Sequence, residues 1–181
     1  MKRQHTLIVM VEDHPGVLNR VVSLLRRRSF NIDSITVGHS ELPGVSRMTI
    51  VVRGTDADME QAGKQLYKLM EVLKVIDLTD QPVVAHEMMI VKVAAKTQQR
   101  QEVLLIAQMF NARVLDASPN TIMIEATGPV EQIESLLVML RAFGIRELAR
   151  TGAIAMTKGS GVITSKGLNS PDQYAGSTAA D

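Results

Sequence analysis

Apolar residues recur along the chain with two different periods. Residues 6–11 carry an unbroken apolar run from Leu7 to Val11, which predicts a central strand. Asp13-His14-Pro15-Gly16 reads as a turn, with Pro15 close to the first helical position. Val17, Leu18, Val21, Val22, Leu24 and Leu25 then form one stripe at the helical period, with Arg20 and Arg26-Arg27-Arg28 toward solvent. Residues 31–38 are β-rich through Ile32, Ile35, Thr36 and Val37, and Leu42-Pro43-Gly44 breaks the chain. Met48, Ile50 and Val52 alternate with Arg47, Thr49 and Val51, the pattern of a half-buried strand. Thr55 or Asp56 is placed to cap a second helix with an apolar face of Met59, Ala62, Leu66 and Met70, and Leu69 beside it. Residues 72–78 close the series as a short strand.

The same order then returns. Residues 86–93 read as a strand, and Thr97 is placed to cap a helix carrying Val103, Leu104, Ala107 and Phe110. Residues 112–116 and 121–126 form strands around Ser118-Pro119-Asn120. Gly128-Pro129 opens a helix lined by Val130, Ile133, Leu137 and Leu140, with Glu131 favourable in its first turn. Gly144 ends it, and residues 145–149 return as a strand. Phe30-Asn31 and Phe110-Asn111 follow the first helix of each half, 110 − 30 = 80 positions apart. Gly54 and Gly128 precede the second helix, 128 − 54 = 74 apart, so the second hairpin connection is six residues shorter. The competing view is one continuous α+β domain. The expected architecture is α+β, two tandem ferredoxin-like βαββαβ units at residues 1–80 and 84–158. A flexible low-complexity tail of Gly, Ser, Thr and Ala at 159–181 follows. With helices on one face of each antiparallel sheet, the other face and an edge seek a partner, and a homodimer is expected.

Composition narrows the chemistry. At 181 residues and 45% hydrophobic, the chain can build real cores. Twenty Lys and Arg against 19 Asp and Glu leave a formal charge of +1, which argues against nucleic acid as partner. The absence of cysteine excludes disulfides, thiolate metal sites and cysteine nucleophiles. No apolar stretch has the length of a signal peptide core or a membrane span, so a soluble, cytoplasmic protein is expected. The histidines, at 5, 14, 39 and 86, form no HExxH or similar cluster, and no phosphate-binding glycine motif occurs. Glu12 and Asp13 are adjacent, but neighbouring side chains at a strand end diverge. The Arg26–Arg28 run suits a helix C-terminus and solvent, with a partner contact as the alternative. The best candidate site is the turn Asp13-His14-Pro15-Gly16-Val17-Leu18, where unpaired helix amides can accept a carboxylate and Gly16 permits close approach. Asn31 offers donors and an acceptor to an amino-acid head group across a dimer interface. A plain structural turn remains the competing view of the same residues.

Three segments carry a family likeness. Asp13-His14-Pro15-Gly16-Val17-Leu18-Asn19-Arg20-Val21, Phe30-Asn31-Ile32-Asp33-Ser34-Ile35-Thr36-Val37-Gly38 and Ser46-Arg47-Met48-Thr49-Ile50-Val51-Val52 resemble the small regulatory subunits of acetolactate synthase (acetohydroxyacid synthase), whose first part is an ACT domain. The likeness continues through Leu73-Lys74-Val75-Ile76-Asp77-Leu78-Thr79 and resumes at Arg146-Glu147-Leu148-Ala149-Arg150-Thr151-Gly152, covering residues 5–158. It implies a subunit without catalysis of its own. Such subunits bind and activate the thiamine-diphosphate-dependent large catalytic subunit and confer feedback inhibition by valine or another branched-chain amino acid. No cofactor is expected on this chain; thiamine diphosphate, Mg and FAD are expected on the catalytic partner. The effector would lie between paired ACT domains, against His14, Pro15, Gly16, Val17 and Leu18, with Asn31 opposite. Val17, Leu18 and Ile32 would wall its side chain. The second unit has Ala94-Ala95-Lys96-Thr97 in place of the Pro-Gly turn, so the resemblance implies no equivalent site there, but dimerisation or contact with the large subunit. An ACT module regulating another enzyme, or a structural interaction subunit with a degenerate site, are the alternatives.

Overall fold

The structure, a computed structural model, describes residues 2–28, 30–161 and 163. The first unit runs β1 (Arg3–Glu12), α1 (Val17–Arg27), β2 (Asn31–His39), β3 (Val45–Gly54), α2 (Asp56–Leu66) and β4 (Val72–Asp77). Its antiparallel sheet has the order β2-β3-β1-β4, which puts the continuous apolar run in an interior strand. Leu7, Val9 and Val11 of β1 pack with Met48, Ile50 and Val52 of β3 against Val17, Val21 and Leu25 of α1 and Met59, Ala62 and Leu66 of α2. Ile8 and Met10 point to the opposite, helix-free face, yet they are fully buried too. On that face Arg47 and Lys74 flank Met10 in register on its two sides. The Arg47 Nη2 donates to Ala155 O at 2.7 Å and the Lys74 Nζ to Ile163 O at 2.7 Å, while the Lys158 amide donates to Pro82 O at 2.8 Å. The described residues from Ala155 on thus make contacts with the first unit. Most of the expected tail, 162 and 164–181, lies outside the described residues.

The second unit repeats the plan with β5 (Val83–Ala94), a 3-10 turn (Thr97–Gln99), α3 (Arg100–Met109), β6 (Arg113–Ser118), β7 (Thr121–Gly128), α4 (Val130–Arg141) and β8 (Ile145–Arg150). Its strands order as β6-β7-β5-β8, the same permutation as in the first sheet. A short β9 (Ile154–Thr157) follows. Met89, Val91 and Val93 meet Ile122 and Ile124 beneath Val103, Ala107, Ile133 and Leu137. The architecture is thus two tandem βαββαβ units, each built on its own core.

Several local expectations shift. Met70 is 92% exposed, because α2 ends at Leu66 and the chain has already turned toward β4. Thr97 makes no cap hydrogen bond; it opens the 3-10 turn, and α3 starts at Arg100. Asn111 is not the counterpart of Asn31. It adopts φ 51° beyond α3, whereas Asn31 opens β2. The matching exits from the first helices are Phe30 N to Leu25 O and Ala112 N to Ala107 O, an offset of 112 − 30 = 82 rather than 80.

At α2 the choice between two caps is settled in favour of Thr55. Its hydroxyl accepts the Asp58 amide at 3.2 Å, and the Asp58 carboxylate accepts the Thr55 amide at 2.8 Å, a complete capping box. Those bonds, the backbone one first, hold the Asp58 carboxyl below its ordinary value. Thr55→Ala should lower stability by about 1 kcal/mol, read from urea midpoints at neutral pH. Because Asp58 is depressed on folding, the box's ionic part is present above the ordinary carboxylate range and lost as pH falls through the lowered value. The cost of Asp58→Ala should therefore shrink in acid; an equal cost of Asp58→Ala at every pH would contradict the box.

Candidate functional site

The turn after β1 is fixed by backbone bonds from both sides. The Glu12 amide donates to Glu71 O at 2.9 Å and the Asp13 amide to Gly44 O at 2.8 Å. These hold the chain as it leaves the sheet. Gly16 then takes φ 92° as the residue before α1, a left-handed conformation that L side chains enter only with strain. It brings no side-chain cap, and α1 is the only α-helix among the described residues without an acidic residue in its first turn. The first well-formed helical bond runs from the Arg20 amide to Gly16 O at 3.1 Å, while the Val17 amide reaches His14 O only at 3.5 Å. The amides of Leu18 and Asn19 have no backbone acceptor, as the first turn of any helix dictates. A Cβ built on Gly16 meets nothing within 4 Å, so the space beside Gly16 at this helix end is open. The positive end of a helix faces this space with no carboxylate of its own first turn to answer it.

The flanking charges are locally engaged. His14 Nε2 lies 3.2 Å from Glu12 Oε2, and His39 Nδ1 lies 3.0 Å from Asp13 Oδ2, all four exposed. Pro15 is exposed beside them. Leu18 is 43% exposed and is the apolar side chain next to the open amides. Val17, by contrast, is buried in the first core, so it offers its backbone and not its side chain. Ile32 is half-buried and packs on the same core. Asn31 is exposed at the start of β2, and its Nδ2 donates to Asp33 Oδ1 at 3.3 Å. Asp33 also accepts from Gln4 and Arg53, a small polar cluster on the sheet end.

These two halves do not meet in one chain. Asn31 pairs with Arg53, which pairs with Gln4, whereas the turn follows Glu12. Eight residues of strand separate the two levels, about 27 Å at ~3.4 Å per residue. A site using both needs a second copy to bring its Asn31 to this turn. Sequence reasoning also missed what anchors α1. Arg20 is exposed as expected, but it also pairs with the buried Glu71 carboxylate just before β4. With 51 positions between them, no local spacing signals that pair. Among the described residues no group of three or more His, Cys, Asp or Glu is arranged to hold a metal ion, and no helix is long and apolar enough to cross a membrane.

Comparison with known proteins covers both units. A family model described as AHAS small subunit-like ACT domain matches residues 7–74, and one described as small subunit of acetolactate synthase matches residues 86–159. A probable acetolactate synthase small subunit of Methanothermobacter thermautotrophicus is 48% identical over 157 residues, 86% of this chain and 94% of that protein. The chain belongs to the acetolactate synthase small-subunit family. The small subunit of Mycobacterium bovis is 44% identical over 165 residues, 91% of this chain and 98% of its own length. The crystal structure of the Thermotoga maritima small subunit superposes with a TM-score of 0.81 at 39% identity, over 87% of this chain and 99% of that one. The first unit is accordingly the ACT domain of a small subunit. The open helix end at Gly16 lies inside the matched ACT segment. In the second unit Ala94 ends β5 and Ala95 is fully buried, so no open glycine turn stands at the corresponding place.

Proposed function

We propose that this chain is the regulatory subunit of acetolactate synthase. It activates a thiamine-diphosphate-dependent catalytic subunit, which supplies all the catalysis and carries the Mg and FAD as well. It confers feedback inhibition by valine or another branched-chain amino acid. One observation carries the effector part: the uncapped, carboxylate-free N-terminus of α1 at Gly16, open to solvent within a matched ACT segment. An amino acid's carboxylate suits the free amides of Leu18 and Asn19. Leu18 offers apolar surface to a branched side chain. Because one methylene is worth only about 1–3 kcal/mol in such a pocket, selectivity among valine, leucine and isoleucine is modest.

Two copies pair through their ACT domains, which supplies Asn31 to the opposite turn. The exposed β2 edge, with half-buried Ser34, Ile35 and Thr36, supports that pairing. The second unit serves dimerisation or contact with the large subunit. Reconstitution with an acetolactate synthase large subunit tests the whole reading. Acetolactate formation should rise on mixing and fall when valine is added, and the two chains should co-elute. Neither activation nor co-elution would mean that another enzyme is regulated or that the chain is only structural.

A further inference from the structure

A groove of about 330 Å³ lies along β4 of the first unit, on the helix-free face that holds Ile8 and Met10. Lys74, Lys158, Gln81 and Thr157 line it with Ile76 and Pro82. Lys74 is only 9% exposed, and its ammonium has a single hydrogen-bond partner among the described residues, the neutral carbonyl of Ile163 at 2.7 Å. No carboxylate among the described residues forms an ion pair with Lys74 or Lys158. This is unusual here. The other buried charged side chains among the described residues, Glu71 and Glu87, each have an arginine partner. A buried charge without a counter-charge is costly, and a carbonyl offsets only part of that cost. Two ammonium groups, a primary amide and a hydroxyl thus line one open groove of the size that holds a small ligand.

We propose that this groove is a binding site for a small multivalent oxyanion, held by Lys74 and Lys158. Lysine acts on such a ligand as a point charge, without the planar fork that selects one geometry, so phosphate and carboxylate groups share the required chemistry. Gln81 and Thr157 supply neutral hydrogen bonds to further oxygens. The site is separate from the effector turn, and it does not depend on the effector reading.

The full chain is titrated with inorganic pyrophosphate, followed by phosphorus NMR and calorimetry. One equivalent should bind, more weakly as salt is raised. Lys158→Met removes a charge but leaves the backbone bond from residue 158 to Pro82, so the fold persists. It should weaken binding about tenfold or more, the loss expected for one charged hydrogen bond. Lys74→Met should do at least the same, with circular dichroism checking its fold. Citrate distinguishes the ligand chemistry: competition assigns the site to oxyanions in general, and lack of competition to phosphate groups. No binding, or equal binding by the wild type and Lys158→Met, would overturn the proposal and leave Lys74 as a clamp for the segment that includes Ile163.

Discussion

Gly16→Asp should raise the valine concentration for half-inhibition of the reconstituted holoenzyme about ten- to a hundredfold, with basal activation retained. The reason lies in the turn itself. Aspartate at the position before a helix uses its own carboxylate to accept the amides two and three residues on. Here those amides belong to Leu18 and Asn19, the pair the proposed effector needs. The substituted chain would cap itself and fill the site with its own negative charge. Losing hydrogen bonds to a charged group corresponds to about 1.5–3 kcal/mol, which is the stated fold-change. The φ of 92° costs an L residue about 1–2 kcal/mol, and the new cap offsets part of that, so the fold should survive. Gly16→Ala separates the two effects, since it adds strain without charge and should shift inhibition much less. Asn31→Ala should weaken inhibition in the same direction from the other copy. An unchanged half-inhibition in Gly16→Asp would remove the effector from this turn.

Arg150→Met should destabilise the second unit by about 3–5 kcal/mol, seen as an early unfolding transition in urea. Glu87 sits on β5, 5% exposed, and Arg150 of β8 spans it and Glu134 of α4. Burial works against the guanidinium charge, but the hydrogen bonds it donates to Glu87 and Glu134 together outweigh this and hold Arg150 above its usual range. Removing Arg150 leaves the Glu87 carboxylate buried without a counter-charge, which costs far more than the intact pair contributes. The double variant Glu87→Leu with Arg150→Met should recover most of the loss, because both charges then leave together. If the double variant is as unstable as the single one, packing and not charge governs the site.

The elements that were legible from sequence share one property: their signal is local. β1 is buried on both faces, so its unbroken run from Leu7 to Val11 identified it directly. α1 carried its own stripe, and the turn before it carried Pro15 and Gly16, so the first half of the candidate site was visible in six residues. What was not legible depends on distant partners. Met70 has the right spacing for a helical face, but α2 stops one turn earlier. Phe110-Asn111 mimics Phe30-Asn31 in letters, while the backbone bonds leaving α1 and α3 match two positions later. Arg20 pairs with Glu71 and Arg150 with Glu87 across 51 and 63 positions, beyond any window in which charge patterning speaks. Asn31 belongs to a proposed site that no single copy assembles.

The bonds from Arg47 to Ala155 and from Lys74 to Ile163 have a consequence for how the protein is made. They join residues 108 and 89 positions apart, with the whole second unit encoded between them. As the chain leaves the ribosome, the ACT sheet can form its helix-covered core early, but Arg47 and Lys74 on its other face meet these partners only after the second unit has been made. The residues from Ala155 on thus join contacts of the first unit after the second has been made. A gene cut at residue 80 would yield an ACT module lacking the partners of Arg47 and Lys74. Moving this ACT domain onto another protein would require carrying the later segment along with it.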